Sequence, residues 1–366
     1  MEPLLPDYSG PCLSNVLPAL LARDSSAAVD WLPPGVASAR QVVLLALDGL
    51  GWEQLQQRTD AAPFLSSMAG GPITTVAPST TATCLTSLTT GLPPAAHGVI
   101  GYRVHVGGRA ILNVLRWRTA DGDARELVDP EGFAPQPPFR GLHPPVVTRA
   151  EFSGGGFSGA HLRGARHVGW RMPSTLVAHV RRLLVDEREP FVYCYYDGVD
   201  KVAHEYGLGA EYDEELAATD ALVARLASVL PPGAALVITS DHGQVDVGPS
   251  VLPVASTVLD RVDFLSGEGR FLWLHARPGC VDLLADSARS AHSSTGWVRT
   301  LGELESEGWF GGRLSGDVRS RVGDVALIAR DPIAYVHPDD PPSTLVSRHG
   351  SVTPAEMLVP LVGAVG

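Results

Sequence analysis

Six acidic and imidazole side chains scattered along this chain, Asp48, Asp200, His204, Asp241, His242 and His349, are of the types that bind divalent cations. Asp200 and His204 stand four residues apart in DKVAH, which on a helix puts both on one face within reach of a single ion. Alone the pair is weak, since the same spacing is common on solvated helix faces. Asp241-His242-Gly243 follows the apolar run AALVIT, so a carboxylate and an imidazole emerge together at a strand end, where glycine permits a tight turn. The plainer alternative is a capping Asp beside a surface His. His349-Gly350 is unremarkable in isolation. A fourth feature is the hydroxyl-rich segment at 78–83, PSTTAT, which precedes an apolar-periodic stretch ending at Gly91. A hydroxyl at the start of that helix would sit at its positive end, where an alkoxide and an anionic phosphate are both favoured. An ordinary N-cap would use the same residues.

Positioning these groups is the task of the surrounding elements. QVVLLAL at 41–47 is a continuous apolar run ending in Asp48-Gly49, the pattern of a strand buried on both faces, and 192–196 and 234–239 read alike. Helical periodicity over 175–185 and 211–230 lies between them. Strands alternating with helices predict an α/β fold with a mostly parallel central sheet covered on both faces. In such sheets ligands collect outside the carboxyl ends of the strands, so the Asp residues there would face one crevice. The whole of 1–366 reads as a single domain with two elaborations. Residues 101–170, rich in Gly, Pro and Arg, read as a loop-dominated insertion near the site. Residues 245–335 read as a small α/β subdomain, with strand-like FLWLHA and VALIA separated by helix-like VRTLGELESEG.

Composition narrows the function. A net charge of −12 argues against a surface that tracks a nucleic-acid polymer, which needs clustered Lys and Arg, but leaves small phosphorylated substrates open because bound cations reverse the local sign. No apolar run reaches membrane-spanning length, and the proline-broken start of the chain does not resemble a secretory signal. Cys12, Cys84, Cys194 and Cys280 are widely spaced, so free thiols and a cytoplasmic location are expected. Lys201 is the only lysine, which reads as compositional bias.

The order of these weak signals says more than any one of them. LALDG at 45–49, PSTTATCLTSLTTGLPPAAHG at 78–98, DGVDKVAHEYG at 197–207, TSDHG at 239–243 and RHG at 348–350 together resemble the alkaline phosphatase superfamily, and within it the branch of type I phosphodiesterases and nucleotide pyrophosphatases. The resemblance implies one metal held by Asp200, His204 and His349, and another by Asp48, Asp241 and His242. It implies Thr81 as the nucleophile, which would also coordinate the second metal and form a phospho-threonine intermediate. His97 would be structural. The expected cofactors are two divalent ions, of zinc type by ligand chemistry although Mn or Fe suits the same donors. The expected substrate is a small phosphodiester or nucleotide pyrophosphate.

The motif departs from the family at Tyr102, where that branch has an Asn that bonds a non-bridging phosphate oxygen. Tyr102 and Asn113 are therefore candidate substrate contacts, with Arg103 and Arg116 as further donors in the insertion. Cys84 reads as packing, and it lacks the C-x-P-x-R context of sulfatases. Two alternatives remain: a phosphomonoesterase or phosphonate hydrolase, which a site-facing Arg from 101–170 would favour, and a metal-binding protein without catalysis. A hydrophobic slot beside Thr81 would favour a diester.

Overall fold

The computed structural model describes residues 1–23, 29–338 and 344–366. Seven strands form the central sheet: β1 (Gln41–Leu47), β2 (Ala69–Thr74), β3 (Pro145–Arg149), β4 (Arg166–Trp170), β5 (Phe191–Tyr196), β6 (Ala234–Thr239) and β7 (Leu358–Val365). Their order across the sheet is β2-β7-β6-β1-β5-β3-β4. β1 pairs in parallel with β6 and β5, and β3 in parallel with β5 and β4, while β7 runs antiparallel between β6 and β2. This is the mostly parallel α/β sheet expected from the sequence.

Why β1 lies at its centre is clear from its alternation. Val42, Leu44 and Ala46 face a core built with helices Leu13–Leu21 and Thr81–Thr90, whereas Val43, Leu45 and Leu47 face a core built with Pro173–Val185 and Ala210–Ser228. With both faces covered, each large apolar side chain adds roughly 1.5–3 kcal/mol of burial, where a one-faced strand gains this only at alternate positions.

Within 101–170 the structure differs from a loop-dominated insertion. Residues 103–123 form a four-stranded antiparallel meander, Arg103–His105, Ile111–Asn113, Arg118–Thr119 and Gly122–Asp123. β3 and β4 are strands of the central sheet itself. Their short apolar content, set among Gly, Pro and Arg, conceals them, because they gain order from neighbouring strands and not from local pattern.

In the 245–335 elaboration a second four-stranded antiparallel sheet takes the order Val262–Glu268, Phe271–Ala276, Val325–Ala329, Gly296–Thr300, with helices Val281–His292 and Leu301–Ser306. FLWLHA and VALIA are thus direct neighbours. The sheet is tied to the end of the chain by a fully buried fork: Arg270 Nε and Nη2 donate to Glu356 at 2.7 and 2.8 Å. Among the described residues, no helix is long and apolar enough to cross a membrane.

Candidate active site

Thr81 opens a ten-residue helix, Thr81–Thr90, that is buried along its whole length. So many threonines survive in a buried helix because Thr86, Thr89 and Thr90 each donate back to the carbonyl four residues earlier, at 2.6, 2.8 and 2.6 Å. Gly91 closes the helix in the left-handed conformation. The first-turn N–H groups have no intrahelical acceptor, so the helix presents its positive end beside the Thr81 hydroxyl.

Asp48 follows β1 directly and Asp241-His242 follow β6, its parallel neighbour, so adjacent strand ends deliver three donors to one point. Asp200 and His204 lie on helix Gly198–Tyr206 after β5, on the other side of β1. Gly49, with φ +75°, allows these parts to meet, since a Cβ there would lie 2.9 Å from Cα and Cβ of Asp200. His349 returns from far along the chain. The antiparallel pair Val245–Asp246 with Ser347–Arg348 brings it in, and Ser79 N donates to Gly350 O at 3.1 Å to fasten it beside the Thr81 helix.

Two clusters result, Asp48/Asp241/His242 and Asp200/His204/His349, each with its ligand atoms within 4.8 Å of one another. In the first, His242 Nε2 lies 3.5 Å from Asp48 Oδ1, 3.4 Å from Asp241 Oδ2 and 3.1 Å from Thr81 Oγ1. In the second, Asp200 Oδ1 lies 3.4 Å from His204 Nε2 and 4.0 Å from His349 Nε2. The first cluster is buried, and the second is open on one side.

The three imidazoles are set for ligation. His204 Nδ1 bonds Ser347 O at 2.8 Å, His349 Nδ1 bonds Ser79 O at 2.9 Å, and His242 Nδ1 bonds Gly243 O at 3.1 Å. Each ring therefore carries its proton on Nδ1 and offers the Nε2 lone pair to the cluster. Burial, followed by His242 and His204 close by, pulls His349 well below the ordinary histidine range, so its ring is neutral. Asp48 is pushed up by burial, and then by the carboxylates of Asp241 and Asp200. Such crowding of acids calls for a counter-charge.

Whether a cation fits can be judged from the polar atoms left over. Asp48 Oδ1 and Asp241 Oδ2 are buried without any hydrogen-bond partner, and both point to the locus shared with His242 Nε2 and Thr81 Oγ1. Their other oxygens are satisfied, Asp48 Oδ2 by the Tyr195 hydroxyl and Asp241 Oδ1 by the N–H groups of Gly49 and His242, each at 3.0 Å. Orphaned buried carboxylate oxygens are unfavourable without a partner, and two oxygens, an imidazole and a hydroxyl form a donor set suited to zinc.

Residues without any sequence signal support this set. Besides Tyr195, Gln244 Nε2 donates to Asp200 Oδ1 at 2.5 Å, and its own Oε1 accepts from Ser347 Oγ at 2.9 Å. Only the pairing of distant segments brings them into play. Tyr102 lines the cleft with Thr81. Asn113 stands behind it, donating to the Tyr102 hydroxyl at 2.6 Å and accepting from Arg116 N at 3.0 Å. Cys84 is buried and receives a hydrogen bond from Thr75 Oγ1 at 3.3 Å. His97 is buried between Ser87 Oγ at 2.8 Å and Val99 N at 3.1 Å.

Thr81 stands at the junction of two cavities. One, of about 460 Å³, is an apolar slot walled by Leu85, Leu115, Phe152, Phe157 and Tyr195 and reaching Asp48. The other, of about 740 Å³, is a wider cleft reaching His204 and His349 and lined in part by Arg103, Arg116, Arg270 and Arg348. Arg116 borders both. Lys201, the single lysine, lines the slot.

A family model described as type I phosphodiesterase / nucleotide pyrophosphatase matches residues 42–352, most of the chain. The chain belongs to that family. Its members hydrolyse phosphate esters, in keeping with the motif order and the two clusters. Among solved structures, murine ectonucleotide pyrophosphatase/phosphodiesterase 5 is similar at 14% identity, covering 88% of this chain and 87% of that one with a TM-score of 0.67. An inactive variant of that murine protein, in complex with AMP, is similar with a TM-score of 0.65 and the same identity and coverage. Phosphonoacetate hydrolase from Sinorhizobium meliloti, in complex with phosphonoacetate, is similar at 18% identity, covering 89% and 90% with a TM-score of 0.65. No curated protein sequence matches the chain significantly. The family member thus has the expected alkaline-phosphatase-like fold.

Proposed function

We propose that this protein is a two-ion phosphodiester or nucleotide-pyrophosphate hydrolase with Thr81 as nucleophile. The observation that carries the reading is the position of Thr81: its Oγ1 lies 3.1 Å from His242 Nε2, at the positive end of its helix and at the mouth of an apolar slot. Zinc-type ions held by Asp48, Asp241, His242 and Thr81, and by Asp200, His204 and His349, would supply the positive charge that acidifies the hydroxyl and neutralises the entering and leaving oxygens.

The chain's own residues do the rest. Thr81 Oγ gives up its proton to solvent and bonds to phosphorus, while the bond from phosphorus to the leaving oxygen breaks. Helix N–H groups and the Tyr102 hydroxyl face the non-bridging oxygens. Water then attacks the phospho-threonine, its oxygen going to phosphorus and a proton returning to Thr81. The slot seats the esterified half that is retained, and the cleft beside the more open cluster receives the half that leaves.

A second reading, phosphomonoesterase or phosphonate hydrolase, draws on Arg116, which comes from the insertion and borders both cavities beside Thr81. The slot favours the diester, because a monoester has no second ester group to fill it.

The test uses zinc-loaded protein with chromogenic monoester, diester and phosphonate substrates, beside Thr81→Ala. Diester turnover should dominate and fall by about 10³-fold or more in the variant. Acid-quenched wild type should carry, by intact mass, an adduct of the phosphoryl group with its retained ester, absent from Thr81→Ala. Equal turnover by both proteins removes Thr81 from the chemistry.

A further inference from the structure

Four arginines line the wider cleft, and two of them, the buried Arg270 and Arg348, are used differently. Arg270 is fully engaged: its fork grips Glu356, and Nη1 donates to the carbonyls of Asp331 and Ile333 at 3.0 and 2.7 Å. Arg348 is 93% buried by its 7% residual exposure, yet its Nε and Nη2 have no hydrogen-bond partner, and among the described residues it forms no ion pair. The nearby Glu268 does not satisfy it, and Glu268 Oε1 is itself without a partner. A buried guanidinium left with open donors is unfavourable unless something occupies them.

The surroundings say what that occupant is. Arg348 lines the same cleft as Thr81, His204 and His349, and it immediately precedes His349 in the chain. Arg103 and Arg116 line the cleft too, adding positive charge in a chain of net charge −12. A planar fork with parallel donors matches the geometry of phosphate oxygens. We propose that Arg348 is the residue that seats a second phosphate on the leaving half of the substrate. This assignment deepens the reading of the site as a diester and pyrophosphate hydrolase and rests on it.

The test compares two substrates with the same retained half, thymidine 5′-triphosphate and the p-nitrophenyl ester of thymidine 5′-monophosphate. The quantity read is the ratio of kcat/KM for the first to that for the second, in which the shared chemistry cancels. In Arg348→Met that ratio should fall by about tenfold or more relative to wild type, through KM more than through kcat. Arg348→Lys keeps a charge without the fork, and its ratio should fall by about threefold. A merely structural arginine would lower both substrates alike and leave the ratio unchanged, which overturns the assignment. If Arg348→Met fails to fold by circular dichroism, Arg348→Lys decides, an unchanged ratio again overturning it. Wild type that cleaves neither substrate brings down the underlying functional reading instead, and the assignment with it.

Discussion

The imidazole rings of His242 and His349 stack face to face, with centroids 3.5 Å apart and planes 10° from parallel, and so bring the two clusters into contact. Two protonated rings could not stack this closely in a buried site, and burial with His242 and His204 close by lowers the pKa of His349. With Nδ1 of each ring bonded to a backbone carbonyl, both turn Nε2 inward, where a cation would be held.

From this contact follows a prediction about metal content. Wild type should hold two divalent ions per chain by elemental analysis. His349→Ala should hold about one, because it removes a ligand of the Asp200 cluster while the four donors around His242 remain. Two ions retained in the variant would contradict the assignment of His349.

Tyr195 offers a subtler test, since its hydroxyl donates to Asp48 Oδ2 and leaves Oδ1 free for a cation. Tyr195→Phe keeps the ring's packing but removes the orienting bond. Affinity for the ion in the buried cluster, measured by competition with a chelator, should drop by about 10–100-fold. An unchanged affinity would show that Asp48 is oriented by packing alone.

Acid should weaken the fold through two buried histidines away from the clusters. Burial lowers His97 to about 3 and His161 to about 4, against an ordinary value of 6.5. Because both folded values lie below the unfolded one, their stabilisation is fully present above about pH 6.5 and is lost as the pH falls toward the folded values. Each group should contribute a loss of about 1.4 kcal/mol per pH unit inside its window. Urea unfolding at pH 7 and pH 5 measures this. In His97→Gln, which keeps a donor and an acceptor but cannot titrate, the difference between the two pH values should shrink.

Arg270 and Glu356, both fully buried, tie the second sheet to the C-terminal segment. Arg270→Ala should destabilise by about 3–5 kcal/mol, as it strands a buried carboxylate. The double variant Arg270→Met with Glu356→Leu should recover much of that loss in thermal unfolding. Additive losses would mean that the pair is not coupled.

Much of the candidate site was legible in the sequence because the residues of its two clusters sit at places the chain marks locally. Asp48 and Asp241 end apolar runs, Asp200 and His204 repeat at a helical interval, and Thr81 opens a helix bounded by Gly91. Burial on both faces of β1, and hence the mostly parallel sheet, follows from the same local pattern. Tertiary structure alone decided the rest. β3 and β4 carry too little periodicity to announce themselves, and their order comes from strand partners distant in sequence. The support of Asp48 by Tyr195, the bond from Gln244 to Asp200 and the stacking of His349 on His242 are contacts between far-separated segments. Local patterning expresses what a residue needs from its own turn or strand, whereas these partners are chosen by which surfaces the folded chain brings together.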